Sequence, residues 1–258
     1  MRTLGATVAG LDSARFVNRV AELQQLERLL ETGPRVMLVH GPGGVGKSTL
    51  LRELARRAEA RGFCVRWVEG RELPPGPDAL EDALGGIRAE KRPLVVIDTY
   101  EQIGALGGYL RRELLPTLSP DARIVIAGRA APGPEWGEAG WDSVVSELKV
   151  EGLPDEDAFE VLSRHGVDSD ATARSIVRWA QGSPLALTLA ADAERRGTGW
   201  RHEAESPDIV RALVARLADP ELDPEHASTL WVAATARVTT LNLLRAALPD
   251  VDAREELR

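Results

Sequence analysis

Eight consecutive residues near the start of the chain have the types and the spacing of a phosphate-binding loop. Residues 41–48 read Gly-Pro-Gly-Gly-Val-Gly-Lys-Ser and fit the pattern G-x-x-x-x-G-K-[ST]. Glycines let the backbone curl so that successive N–H groups point at phosphate oxygens, and the following helix adds the positive end of its dipole. Lys47 can reach the β- and γ-phosphates, and the Ser48 hydroxyl can ligate Mg²⁺. The loop thus predicts a site for a nucleoside triphosphate with Mg²⁺. Its predicted contact residues are Gly41, Gly43, Gly44, Val45, Gly46, Lys47, Ser48 and Thr49.

A carboxylate at the end of an apolar run is the second candidate for holding the metal. Residues 94–97 are Leu-Val-Val-Ile, the pattern of a buried strand, and Asp98 follows directly. An acid at the carboxyl edge of a parallel sheet faces the ligand crevice. There it can hold Mg²⁺ through water, which is the Walker B role. Ser48 and Asp98 are therefore the predicted metal residues.

Two further charged residues could act on the phosphates. Glu101 could activate or orient water for hydrolysis, or it could only satisfy the dipole at a helix start. Arg129 follows the apolar run 124–127 and Gly128, so it could reach the γ-phosphate and report its presence. A solvated loop arginine is the alternative for Arg129. The catalytic candidates are thus Lys47, Asp98, Glu101 and Arg129.

Apolar runs that alternate with amphipathic stretches indicate which elements position these residues. Strands are predicted at 36–39, 63–68, 94–97, 124–127 and 143–150, and helices at 22–30, 48–60 and 78–90, with Asp78 as the cap of the last. The alternation favours an α/β fold with a parallel sheet covered by helices, over residues 1–150. Only helices are predicted after Gly152, at 155–164, 170–181, 185–196, 207–218, 224–237 and 239–248.

Composition limits the class of protein. The 258 residues carry a formal net charge of −8, so there is no cationic surplus of the kind that marks a nucleic-acid or anionic-membrane binder. The single cysteine, Cys64, excludes an intramolecular disulfide. No apolar run approaches the roughly 18 residues of a membrane span. We therefore expect a cytoplasmic protein that does not insert into membranes.

The order of the motifs resembles the STAND class of P-loop ATPases, the signal-transduction ATPases that include the AP-ATPase and NACHT groups. Phe16, Val17, Asn18 and Arg19, followed by Glu22, resemble the family's Phe-Val-Gly-Arg-Glu motif, which wraps the adenine, with Asn18 at the glycine position. Residues 182–187, Gly-Ser-Pro-Leu-Ala-Leu, resemble the Gly-Leu-Pro-Leu motif of the family's helical lid. The resemblance implies that Phe16, Val17, Arg19, Pro184 and Leu185 contact the nucleotide, and that Arg129 is the sensor arginine.

The same resemblance implies a domain order and a function. A helical lid is expected at 151–203, and the start of a winged-helix domain at 204–258. ATP or ADP with Mg²⁺ would control a conformational switch, with self-association in the ATP state and a C-terminal sensor or effector region that this chain lacks. Many relatives carry a second acid directly after the Walker B aspartate, where this chain has Thr99, so ATP hydrolysis is expected to be slow.

Two alternatives remain open. A DNA-associated ATPase of the origin-binding AAA+ type would share the loop and a winged helix, but residues 220–258 contain no lysine and no basic stripe. A small-molecule kinase is usually compact and has an arginine-rich lid, which the long helical part here does not match. Salt-dependent DNA binding would favour the first alternative, and phosphate transfer to a nucleoside or sugar would favour the second.

Overall fold

The structure, a computed structural model, describes residues 19–138, 140–167 and 169–195. Phe16 and Val17 lie outside the described residues, as do the predicted helices after residue 195 and the predicted winged-helix region. The chain divides between Glu151 and Gly152 into two compact units. Within the described ranges, no helix is long and apolar enough to span a membrane.

A five-stranded parallel sheet forms the centre of the first unit. Its strands are β1 (Val36–His40), β2 (Cys64–Glu69), β3 (Pro93–Asp98), β4 (Arg123–Gly128) and β5 (Val145–Lys149). They are ordered β2-β3-β4-β1-β5, and every neighbouring pair runs parallel. β4 therefore lies between β1, which precedes the phosphate-binding loop, and β3, which ends in Asp98. The sequence prediction of a P-loop α/β fold is confirmed.

Helices cover both faces of this sheet. They are α1 (Val20–Leu30), α2 (Lys47–Ala60) and α3 (Pro77–Ala83), together with an irregular helical segment at residues 100–117 made of Tyr100–Leu106, Gly107–Tyr109, Leu110–Leu114 and Leu115–Thr117. Single helical turns occur at Ile87–Ala89 and Pro134–Gly137. Alternate residues of β3 enter different cores, since Leu94 and Val96 pack with α1 and α2, whereas Val95 and Ile97 pack with the helices of the opposite face.

The predicted helix 78–90, capped by Asp78, is wrong in both its start and its length. α3 begins at Pro77, so Asp78 lies inside its first turn, and the N-cap position belongs to Gly76 without a side-chain cap. The helix ends at Ala83 because Gly85 and Gly86 follow, and Gly86 adopts φ +80°. Only the short turn Ile87–Ala89 continues the helical path.

The second unit contains three helices in its described part: α4 (Asp155–Arg164), α5 (Asp170–Ala180) and α6 (Pro184–Arg195). The segments before α4 and α6 are joined, because the Leu153 N–H donates to the Gly182 carbonyl at 2.8 Å. A side chain at Gly182 would place its Cβ 2.6 Å from the Leu153 carbonyl oxygen. Glycine therefore permits the close backbone contact from which both helices depart.

Candidate functional site

The phosphate-binding loop connects the end of β1 to the start of α2. Gly46 occupies the N-cap position of α2 with φ +99°, and no side chain caps this helix. The N–H groups of the first turn are therefore directed at the loop, where an anion can accept their hydrogen bonds. Gly41 is required for a different reason, because a Cβ there would lie 2.3 Å from the Val150 carbonyl oxygen. The backbone thus has the curled conformation that the sequence pattern predicts.

Lys47 is the first residue of α2, and its side chain folds back over the loop. Its Nζ donates to the Gly41 carbonyl at 2.6 Å and to the Pro42 carbonyl at 3.0 Å. Burial lowers the pKa of Lys47, the charges of Glu101 and Asp98 oppose that shift, and Arg129 adds to it. The other three catalytic candidates are thus close enough for their charges to act on Lys47.

Arg19 holds the loop from the side of α1. This arginine is buried, and its guanidinium donates to the Val45 carbonyl at 2.8 Å and to Glu22 at 2.7 Å. Two residues of the motif that resembles the STAND entry sequence, Arg19 and Glu22, are therefore paired with each other. Through Val45 they fix the backbone of the phosphate-binding loop.

Asp98 ends β3 in a buried position, with 2% of its surface exposed. The Thr99 N–H donates to its Oδ1 at 2.9 Å, whereas Oδ2 is buried and has no hydrogen-bond partner among the residues that the structure describes. Burial raises the pKa of Asp98, and the adjacent Ser48 hydroxyl and Thr99 N–H oppose that shift. The structure therefore brings the two predicted metal residues, Ser48 and Asp98, side by side.

Glu101 and Arg129 are bonded to each other. The Arg129 Nε lies 3.0 Å from the Glu101 Oε1, and the Arg129 backbone N–H donates to Oε2 at 3.2 Å. Both side chains remain partly exposed. The carboxylate therefore fixes the position of the arginine after β4, between the loop strand and the strand of Asp98.

A sequence model of the AAA ATPase domain matches residues 15–189, more than half of the chain. The chain belongs to the AAA ATPase family. Among solved structures, a RuvB variant of Thermotoga maritima is 18% identical, with a TM-score of 0.53 over 93% of this chain and 85% of that one. A Walker-type ATPase of Pyrococcus abyssi is 16% identical, with a TM-score of 0.57 over 94% and 89%. At these identities the likeness concerns the fold alone. No curated protein matches the chain.

Proteins of the AAA ATPase family in general bind ATP or ADP with Mg²⁺, and the residues present in this member fit that ion. Asp98 offers a buried oxygen that lacks a partner in the described part of the chain, and Ser48 offers a hydroxyl beside it. The described residues contain no cluster of three or more His, Cys, Asp or Glu side chains that could hold a metal alone. Mg²⁺ commonly uses one or two carboxylates and completes its shell with phosphates and water.

Glu69 is a residue of this AAA ATPase domain that the sequence analysis missed. It ends β2 directly beside Asp98 in the parallel register, and its Oε1 is buried without a hydrogen-bond partner among the described residues. The signal was present in the sequence, because the strands of residues 63–68 and 94–97 are both followed by a carboxylate. Only the pairing of β2 with β3 shows that these carboxylates are neighbours.

Pro184 and Leu185, the candidates from the helical part, are the first two residues of α6 in the second unit. Ser183 accepts a hydrogen bond from the Ala186 N–H at 3.3 Å, so it caps this helix. Proline at the first helical position suits its fixed φ and its missing N–H. The local geometry of this segment is therefore that of a well-formed helix start.

Proposed function

We propose that this AAA ATPase domain binds ATP or ADP with Mg²⁺ and acts as a nucleotide-controlled switch of the STAND type, with slow hydrolysis. The observation that carries the proposal is a loop curled for phosphate, together with the cluster of Lys47, which folds over the loop, Asp98, which lies beside Ser48, and the Glu101–Arg129 ion pair. The cluster combines a cation for the phosphates, a carboxylate for the metal and a second cation at the end of the neighbouring strand.

Each residue of the cluster has a defined task in the proposed site. Lys47 exchanges its two carbonyl contacts for β- and γ-phosphate oxygens, while α2 directs its free N–H groups at the same anion. Mg²⁺, when bound with the nucleotide, neutralises charge that develops on the phosphates. Ser48 and Asp98 would hold that ion. Arg19 keeps the loop in place through the Val45 carbonyl.

The Glu101–Arg129 pair supports a switch with slow turnover. A free carboxylate near the γ-phosphate would serve as a base or would orient the attacking water. Glu101 instead engages Arg129 through both carboxylate oxygens, and position 99 is a threonine. Arg129 can leave Glu101 for a γ-phosphate, which distinguishes ATP from ADP. We therefore assign nucleotide sensing to Arg129 and its positioning to Glu101.

The resemblance to STAND proteins extends the proposal beyond the first unit. In that scheme Pro184 and Leu185 contact the nucleotide from the helical lid, ADP is the resting ligand, and ATP promotes self-association. Phe16 and Val17 would contact the adenine. A switch of this kind requires that two conformations of the protein differ in their affinity for the nucleotide. A ligand shifts the equilibrium between two conformations only by that difference.

Substitution of Lys47 by alanine tests the proposal. Lys47→Ala should weaken ATP binding by about 10- to 100-fold, since it removes charge-assisted hydrogen bonds to phosphate. Lys91→Ala is the matched control, because Lys91 is exposed in the turn before β3. Affinity is measured by calorimetry, and folding of both variants by circular dichroism. Equal ATP affinity of the two variants would contradict the assignment of the loop.

The nucleotide carried by the purified protein provides a second, independent measurement. Denaturation releases any bound nucleotide, which chromatography then identifies. ADP in the released fraction agrees with the proposed resting state. DNA binding that falls steeply with salt, in the absence of any bound nucleotide, would instead favour a DNA-associated ATPase.

A further inference from the structure

The carboxyl ends of β2 and β3 place two acids side by side. Glu69 and Asp98 are register partners in the parallel pair, and they are the last residues of their strands. Each acid has one buried carboxylate oxygen without a hydrogen-bond partner among the described residues, Oε1 of Glu69 and Oδ2 of Asp98. Asp98 itself is 2% exposed. A buried polar atom without a partner is rare in native proteins and calls for an explanation.

Both acids lie on the face of the sheet that carries α2. Leu94 and Val96 of β3 belong to the core formed with α1 and α2, and Val65 and Trp67 of β2 pack against that core. Because side chains alternate along a strand, the next residues on this face are Asp98 and Glu69. Lys47 and Ser48, at the start of α2, lie on the same side. The two acids therefore lie on the face of the sheet that carries the start of α2, and Asp98 is adjacent to Ser48.

Backbone contacts hold the two strand ends together beyond the last pair. The Gly70 N–H donates to the Asp98 carbonyl at 2.9 Å. A Cβ at Gly70 would lie 2.4 Å from the Thr99 carbonyl oxygen, so a glycine is needed for this approach. The spacing between the backbones of the two acids is thus fixed.

Two neighbouring carboxylates with buried oxygens repel each other, unless a cation or hydrogen-bond donors lie between them. In the described part of the chain no salt bridge involves Glu69. We propose that Glu69 is a second carboxylate of the nucleotide site, and that it accepts a hydrogen bond from a water molecule of the hydrated divalent cation held by Asp98 and Ser48. This inference rests on the proposed nucleotide site and adds a residue to its metal shell.

Affinity for Mn²⁺ in the presence of ADP tests this role without depending on hydrolysis. The full chain is saturated with ADP, and Mn²⁺ binding is followed by electron paramagnetic resonance. Glu69→Gln should weaken Mn²⁺ binding about 10- to 100-fold, as is typical for residues around a metal's direct ligands. Glu69→Asp, which keeps the charge, should recover part of the loss. Glu72→Gln is the matched control, since Glu72 lies three residues away and is exposed.

Two further measurements separate this role from a structural one. Affinity for ADP in EDTA should be equal in the wild type, Glu69→Gln and Glu72→Gln, because the phosphate contacts do not involve Glu69. The melting temperature of ligand-free Glu69→Gln should equal or exceed that of the wild type, since a repulsive charge has been removed. A clear fall in that temperature would identify a structural acid and overturn the inference.

The outcomes also distinguish this inference from the proposed function. Equal Mn²⁺ affinity of Glu69→Gln and Glu72→Gln would overturn the role of Glu69 and leave the nucleotide site intact. ADP binding to the wild type that Mn²⁺ does not strengthen would overturn it as well. Absence of ADP binding by the wild type in both EDTA and Mn²⁺ would instead overturn the nucleotide site itself, and Glu69 with it.

Discussion

Thr99 combines an unusual backbone conformation with the position directly after Asp98. Its φ is +56°, in the left-handed region, which a β-branched residue rarely adopts. Such strain persists only where the surrounding structure enforces it, and it is concentrated at functional sites. Here the conformation allows the Thr99 N–H to donate to Asp98, so the strained residue orients the carboxylate assigned to the metal.

Turnover should be limited by the absence of an acid at this position. The wild type is expected to hydrolyse ATP below about 1 s⁻¹, the low end of the common enzyme range. Thr99→Asp should raise that rate by about tenfold or more, because a carboxylate beside the γ-phosphate can act on water. Aspartate also tolerates the left-handed conformation. A phosphate-release assay measures the rate.

The control for this prediction is Thr99→Asn, which has nearly the same shape and backbone tolerance but no charge. Asparagine should leave turnover at the wild-type level. An equal rise in both variants would show that backbone strain at position 99 limits turnover. The missing acid would then not be the cause. A wild-type rate well above 1 s⁻¹ would assign the chemistry to another residue, with Glu101 as the first candidate.

Local motifs in the sequence predicted the placement of some site residues but could not predict that of others. Lys47 and Ser48 are recognisable because the loop is continuous, and Asp98 because it ends an apolar run. The Glu101–Arg129 pair could not be derived, since its members follow different strands and meet only because β3 and β4 are neighbours. Glu69 was missed for the same reason. Its register partner Asp98 lies on β3, and a local sequence pattern cannot show that β3 pairs with β2.

The helices α1 and α2 are joined by charged side chains as well as by their leucines. Glu53 accepts hydrogen bonds from Arg56 and Arg57, and Glu27 accepts from Arg57 and Arg61. The Arg56 guanidinium, with help from Arg57 and against the effect of burial, lowers the pKa of Glu53 to about 2. Ionised Glu53 therefore holds Arg57, which in turn donates to Glu27 of α1.

This shift predicts how stability depends on pH. Because the folded pKa is about 2 and the ordinary value is 4.5, the contribution of Glu53 is complete above 4.5 and is lost as pH falls toward 2. We expect a loss on the order of 1–3 kcal/mol over that range, as for hydrogen bonds to a charged group. Urea denaturation at a series of pH values measures it.

Two variants separate Glu53 from the other carboxylates of the protein. Glu53→Gln should be less stable at neutral pH and should lose less stability than the wild type between pH 4.5 and 2. Glu59→Gln, at an exposed position of the same helix, should keep the wild-type slope. The same slope in all three proteins would show that Glu53 does not control the acid sensitivity.

The sequence predicted regular elements better than irregular ones. α4 begins at Asp155 and ends at Arg164, as its three initial acids and its apolar spacing indicate. Residues 100–117, by contrast, mix three kinds of helical turn, because Gly107, Gly108 and Pro116 interrupt a regular helix. The predicted parallel sheet is confirmed, but its strand order was not predictable, since pairing of β1 with β4 depends on residues far apart in the chain.

The proposed switch requires that the second unit respond to the nucleotide. If Pro184 contacts the ligand as the STAND resemblance implies, Pro184→Gly should weaken nucleotide affinity, because apolar surface and the fixed φ at the start of α6 are both lost. We expect a decrease of about tenfold, measured by calorimetry.

Ser183→Ala is the control for this prediction. It removes the cap on α6 and should cost about 1 kcal/mol of unfolding free energy, with or without nucleotide. Its nucleotide affinity should remain at the wild-type value. If Pro184→Gly behaves like Ser183→Ala, losing stability but keeping its affinity, then the segment serves only to start a helix, and the main reason for choosing the STAND class is removed.

The order of the strands also determines when the proposed nucleotide site can form during synthesis. β1, which precedes the phosphate-binding loop, is flanked by β4 and β5. Val36 therefore cannot pair with Ile124 and Val145 until those residues have been synthesised. β2 and β3 can pair with each other earlier. At roughly 5–20 residues per second, β1 remains without its partners for several seconds. The apolar strand before the phosphate-binding loop is therefore exposed to aggregation in that interval, and a nucleotide bound at the proposed site could stabilise the nascent chain only after β4 has left the ribosome.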